Sequence, residues 1–127
     1  MHRRNSTLAT LARRANIDLD EATGAQLARV YKDVISELAS VLTGSTIKFQ
    51  TETIDIVIDD IAIMLNRFDD LPQGSFASLD AVNEKLRRAK IKLSAAYNLA
   101  EKNRKGESYF RLLDEASLLL REARQYF

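Results

Sequence analysis

The stretch IKFQTETIDIVIDDIAIMLNRF, residues 47–68, supports two readings, and the choice between them decides the fold. Ile54, Ile56 and Ile58 alternate with Asp55 and Val57 as a strand would require, because successive strand side chains point to opposite faces. Length decides for a helix. Ile47, Ile54, Ile58, Ile61, Leu65 and Phe68 continue one stripe at helical spacing, far beyond an ordinary strand of about 5–6 residues. Ile56, Val57, Ile63 and Met64 widen the apolar surface to most of the circumference. Only Glu52, Asp55, Asp59 and Asn66 remain as a polar strip, the pattern of a helix at the centre of a bundle.

With that segment helical, the same period organises the rest. Before it, Leu27, Tyr31, Val34, Leu38 and Val41 step by four and three, and Gly44 ends the run. After it, Pro72 and Gly74 mark a loop and Ser78 offers a cap. Leu79, Val82, Leu86, Ala89, Leu93, Ala96 and Ala100 then alternate three and four as in a coiled coil, up to a stop at Gly106. Tyr109, Leu112, Leu113, Ala116, Leu119, Leu120 and Ala123 form a last stripe. At the N-terminus, Asn5 or Ser6 can cap a short helix with Leu8, Leu11 and Ala15 on one face. The expectation is an all-α, single-domain bundle of about five helices over residues 1–127. A short basic helix occupies about 6–15, and the main helices about 21–42, 47–68, 79–104 and 107–126.

Composition agrees. A chain of 127 residues with 46% hydrophobic content suits one domain with its own core. One proline and four glycines are too few for a turn-rich sheet protein. The absence of cysteine excludes disulfides and cysteine-ligated zinc, and points to the reducing cytoplasm. No apolar run approaches the ~18 residues that span a bilayer. Residues 1–17 carry Arg3, Arg4, Arg13 and Arg14 without an acid, a composition shared with organelle transit peptides. We read them as a basic N-terminal helix.

The charges are unevenly placed although the formal sum is only +1. Residues 85–105 hold eight Lys or Arg against Glu101 and the adjacent Glu84, a net of +6, whereas residues 52–70 hold six acids against Arg67, a net of −5. On a helical wheel Lys85, Arg88 and Lys92 form one flank of the fourth helix, and Arg87 and Lys105 the other. Between the flanks Ile91, Ala95 and Leu99 form a second, smaller apolar strip. Three readings fit. The cations can be a solvated face whose strip is packed by a neighbouring helix. They can neutralise nucleic-acid phosphates. They can receive an acidic protein partner. In the second reading Lys85, Arg87, Arg88, Lys92, Lys102, Lys105, Arg13, Arg14 and Arg29 are the candidate contacts, and Ile91, Ala95 and Leu99 the candidate partner interface.

Catalytic chemistry finds little support. The lone His2 has no second histidine or cysteine to work with, and the P-loop, dinucleotide-fold and nucleophile-elbow motifs are missing. Glu52, Asp55 and Asp59 share a helix face, but without a Glu-x-x-His they read as a solvated strip rather than a metal site. LATLARRANIDLDEATGAQL has the outline of a helix-turn-helix, with Asn16 at the turn. The helix that follows is too long and its inward face too regular for base reading. The expectation is a protein that is not an enzyme and uses no cofactor, metal or small-molecule substrate.

Two stretches resemble the small helical subunits of type III CRISPR–Cas effector complexes. In TGAQLARVYKDV, Thr23, Gln26, Leu27, Arg29, Val30, Tyr31, Asp33 and Val34 are similar to that family's Thr-x-x-Gln-Leu-Arg-x-x-Tyr helix. Ala28 stands where the arginine is expected, and Arg29 follows one position later. In KIKLSAAYNLAEKNRKGESYF, the residues Lys90, Leu93, Ala96, Tyr97 and Lys102 resemble a later Lys-x-x-Leu-Ala-Tyr-Ala-x-x-Arg segment. Together they cover under half the chain, and a small subunit of a related effector type would fit equally. The resemblance implies a non-catalytic bundle that stacks along a ribonucleoprotein, beside copies of itself and larger subunits, with lysines and arginines on guide or target backbone. That makes RNA or single-stranded DNA the expected ligand. The alternative is a protein-only adaptor or structural subunit of a phage or other assembly.

Overall fold

The computed structural model describes residues 6–43, 51–71 and 79–126. Five α-helices are present and no strand occurs among the described residues: α1 Thr7–Arg14, α2 Gly24–Thr43, α3 Thr51–Asn66, α4 Leu79–Glu101 and α5 Glu107–Arg124. The segment read as a helix over 47–68 is α-helical from Thr51 to Asn66 and continues after Arg67 into a single 3-10 turn at Phe68–Asp70. The expected cap at Asn5, the stop at Gly44, the start at Ile47 and the Pro72–Gly74 loop with its Ser78 cap lie outside the described residues.

The α4 stripe is buried as its spacing requires, with Val82, Leu86, Ala89, Leu93 and Ala96 fully inaccessible. Its alternating Leu and Ala let α5 approach closely on one side and α3 pack on the other. Beyond α5 lies α2, so the spatial order is α3, α4, α5, α2, with α1 laid mainly on α2 and touching α3. The apolar residues of all five helices form one continuous core. This corrects the central placement expected for α3. Ile54, Val57, Ile61 and Met64 face the core, but Ile63 is 46% exposed, so α3 forms a flank of the bundle.

Two asparagines end helices. Asn16 after α1 and Asn103 after α4 both have positive φ, 57° and 56°. After Asn16, Ile17 N–H donates to the Ala12 carbonyl at 2.9 Å, and Asn16 N–H to Arg13 at 3.0 Å. After α4, Arg104 N–H donates to Leu99 at 2.8 Å and Asn103 N–H to Ala100 at 3.0 Å. Both sites are thus Schellman caps that satisfy terminal carbonyls. Helix four therefore stops at Glu101 rather than near residue 104, and Gly106 caps the start of α5. Asn103→Val should cost about 1–2 kcal/mol, because a β-branched residue resists the left-handed conformation, whereas Asn103→Gly should be neutral or mildly stabilising. Equal denaturation midpoints for the two variants would remove this account.

The start of α2 is fixed by a reciprocal pair. Thr23 N–H donates to Gln26 Oε1 at 2.9 Å, and Gln26 N–H to Thr23 Oγ1 at 3.2 Å. This capping box places the helix start at Gly24, three residues later than the periodicity suggested. On α1, Leu8 and Ala12 are buried and Leu11 half-buried, while Ala15 is exposed at the C-cap instead of joining the apolar face.

Candidate nucleic-acid interface

The basic segment is reorganised by its neighbours. Lys85 and Lys92 lie one heptad apart on the side of α4 that faces α5, where Glu122 and Glu115 repeat the same interval in the opposite direction. Lys85 Nζ pairs with Glu122, and Lys92 Nζ meets Glu115 Oε2 at 2.7 Å. The Lys92 hydrogen bond holds the Glu115 carboxyl below its ordinary value. Arg88 reaches Glu84 one turn back at 3.9 Å. The balancing acid for these lysines comes from α5, not from residues 52–70. The matched heptad spacing, as between flanking positions of a coiled coil, was the signal in the sequence.

What remains positive lies elsewhere. Arg87 is exposed on the outer face of α4. Lys102, Arg104 and Lys105 lie in the α4–α5 turn rather than on the helix, held by the Asn103 cap. None of these four forms a salt bridge to a described carboxylate. Lys105 Nζ sits 5.9 Å from the Tyr109 ring centroid, a contact that leaves its charge uncompensated. At another corner, exposed Arg14 and Arg29 line a recess of about 210 Å³ together with Asp33, with exposed Arg13 on the next groove.

The apolar strip on α4 divides. Ile91 is 67% exposed, Ala95 is half-buried, and Leu99 is half-buried against the core. Leu118 of α5, at 56% exposed, lies on the outer side of the helix that carries Glu115 and Glu122.

The acids of residues 52–70 do not form one surface. Asp60 is 1% exposed and serves the start of α1. Its Oδ1 accepts from Ser6 Oγ at 2.6 Å, and its Oδ2 from Thr7 N–H at 3.0 Å and Leu8 N–H at 3.3 Å. Ser6 Oγ in turn accepts from Ala9 N–H at 3.2 Å. A carboxylate at the positive end of a helix thus meets donors that the helix cannot satisfy itself. Burial pushes the Asp60 carboxyl above its ordinary value even so, with the three donors acting against the shift.

Arg67 is committed as well. Its Nε donates to Asp70 Oδ2 at 3.0 Å, Nη1 to the Leu19 carbonyl and Nη2 to the Ala22 carbonyl at 3.4 Å, which ties the α1–α2 connection to the end of α3. Between these two ties a groove of about 980 Å³ runs along α1 and α3. Leu27 and Tyr31 lie among its lining, and burial raises the Tyr31 hydroxyl to about 12. The sequence reading missed this groove because its walls come from segments about fifty residues apart. Among the described residues no three acidic or imidazole groups converge as a metal site. No helix is long and apolar enough to cross a membrane among the described residues.

No family model, curated protein or solved structure matches the chain.

Proposed function

We propose that this chain is a non-catalytic helical accessory subunit of a cytoplasmic ribonucleoprotein assembly, of the kind the type III CRISPR–Cas resemblance implies, and that it contacts RNA or single-stranded DNA backbone. The observation that supports this reading is the α4–α5 turn. It presents Lys102, Arg104 and Lys105 without a carboxylate partner among the described residues, while Lys85 and Lys92 are already paired. A turn held by two cap hydrogen bonds fixes the backbone that carries these cations, and phosphate contacts need no base reading.

Single-stranded RNA binding should therefore weaken with salt at a log–log slope of about −2, from roughly 0.7 per phosphate over three contacts. Replacing Lys102, Arg104 and Lys105 by Gln should flatten that slope and weaken every sequence alike. Lys85→Gln with Lys92→Gln should leave it unchanged. Failure of the parent chain to bind at about 50 mM salt would exclude the nucleic-acid reading.

A second reading, the protein-only adaptor, is favoured by Ile91 and Leu118, large apolar side chains that stand exposed on the two helices joined by the ion pairs. It predicts partner capture that added RNA does not compete away.

A further inference from the structure

The groove between α1 and α3 and the outer face of α4 are complementary in polarity and charge, yet lie on different parts of the same chain. The groove combines apolar Ala12, Ile17, Leu19 and Ile63 with Asp18 and Asp20 on the α1–α2 connection. Ile63 is 46% exposed there, and the two aspartates are exposed without a salt bridge to a described cation. The α4 face presents the converse. Ile91 is 67% exposed, the highest value among the large apolar residues described, with Arg87 and Arg88 one turn before it and half-buried Ala95 one turn after. From Arg87 to Ala95 the helix advances about 12 Å, and the α3 wall from Asp59 to Asn66 advances about 10 Å.

We propose that Ile91, with Arg87 and Arg88, docks into the α1–α3 groove of a second copy of this chain. The proposal deepens the reading of the chain as an assembly subunit by naming the surfaces through which copies meet. Opposite charges orient the approach, and Ile91 against Ile17 and Ile63 supplies the apolar contact. Because the two surfaces differ, the contact is heterologous. Each added copy leaves one groove and one α4 face open at the ends, so the assembly grows rather than closing as a two-fold dimer. Arg13, at the groove margin, opposes Arg87 and Arg88 and limits the affinity.

Sedimentation of the full chain at low salt should show masses that rise with concentration beyond the dimer, and that fall as salt screens the contact. Ile91→Gln should weaken association about tenfold or more. Asp18→Lys with Asp20→Lys should abolish it, and Ile63→Gln tests the groove independently should the loop variant misfold. Mixing the Ile91 variant with the Asp18/Asp20 variant leaves one intact groove and one intact α4 face, so a one-to-one dimer and nothing larger should form. Arg13→Glu should tighten association several-fold, whereas under an RNA-binding role for Arg13 it would weaken RNA binding. Leu118→Gln should change nothing. A parent chain that stays monomeric, variants that associate like the parent, or a mixture without dimer would each overturn the proposal. RNA binding through Lys102, Arg104 and Lys105, measured on the same variants, succeeds or fails separately.

Discussion

Replacing Asp60 by Ala should release α1 from the bundle, with a loss of about 3 kcal/mol in global stability, since buried donors left unpaired cost about 1–3 kcal/mol each and water recovers part of this at a helix end. Three donors depend on this one carboxylate: the Ser6 hydroxyl and the N–H groups of Thr7 and Leu8. Its loss also frees Ser6, whose hydroxyl is the N-cap acceptor for Ala9. Leu8 and Ala12 would then have only their own apolar contacts to hold an eight-residue helix, too short to persist alone. Amide exchange should report the change first on α1, with protection on α4 and α5 retained. Asp60→Asn should fall between, because the amide keeps one acceptor but turns its NH₂ towards a donor.

The pH dependence has a definite sign. The folded-state pKa of Asp60 is raised above its ordinary 3.8, chiefly by burial, so the native state binds the proton more tightly than the unfolded chain. The stability linked to that proton is fully present below the ordinary value and is lost as pH rises through the raised one. The gap between the parent chain and Asp60→Asn should therefore narrow with rising pH over that window. A gap that widens instead would mean that the three donors outweigh burial and hold the carboxyl below its ordinary value, whereas an Asp60→Ala loss below about 1 kcal/mol would refute the role assigned to this residue.

Leu86→Ala should cost about 3–5 kcal/mol, at the upper end for leucine truncation. Leu86 is fully inaccessible on α4, the helix with α3 on one side and α5 on the other, so the cavity has walls on two fronts that cannot both collapse into it. A chain of this size has on the order of 5–15 kcal/mol in total, so this single change removes a large share of it and should lower the melting temperature by roughly 10–20 °C. Ile91→Ala, five residues on and 67% exposed, should change the denaturation midpoint little in the same assay. Similar losses at both positions would mean that the inner and outer faces of α4 are misassigned.

The fold was readable because α4 and α5 carry regular stripes that burial reproduces: every α4 position named from periodicity is buried except half-buried Leu79. Thr23 and Gln26 were readable too, as a capping box three residues apart. Both are among the residues similar to the small-subunit helix, and the capping box is a sufficient local reason for them to be what they are. Asp60 was not legible. Its neighbours Asp55 and Asp59 have the same chemistry, and what singles it out is Ser6, fifty-four positions away. The pairing of Lys85 and Lys92 was not legible for a related reason. A wheel drawn for one helix shows which way Lys85 and Lys92 point, but the glutamates that meet them belong to another helix and appear only when the two are laid side by side.

Those two ion pairs have a consequence that their modest energy conceals. The apolar seam between α4 and α5 alternates Leu and Ala from turn to turn, so a slip of one turn, about 5.4 Å, puts Leu where Ala had packed, and the ion pairs oppose the same slip from outside the seam. Lys85–Glu122 and Lys92–Glu115 share one interval and run in opposite chain directions, so any such slip breaks both at once. They act as a vernier, adding little to the depth of the native well and much to its singularity. Two lysines that stand in the sequence among the candidate contacts for another molecule are, in this fold, marks on the scale by which the chain aligns itself.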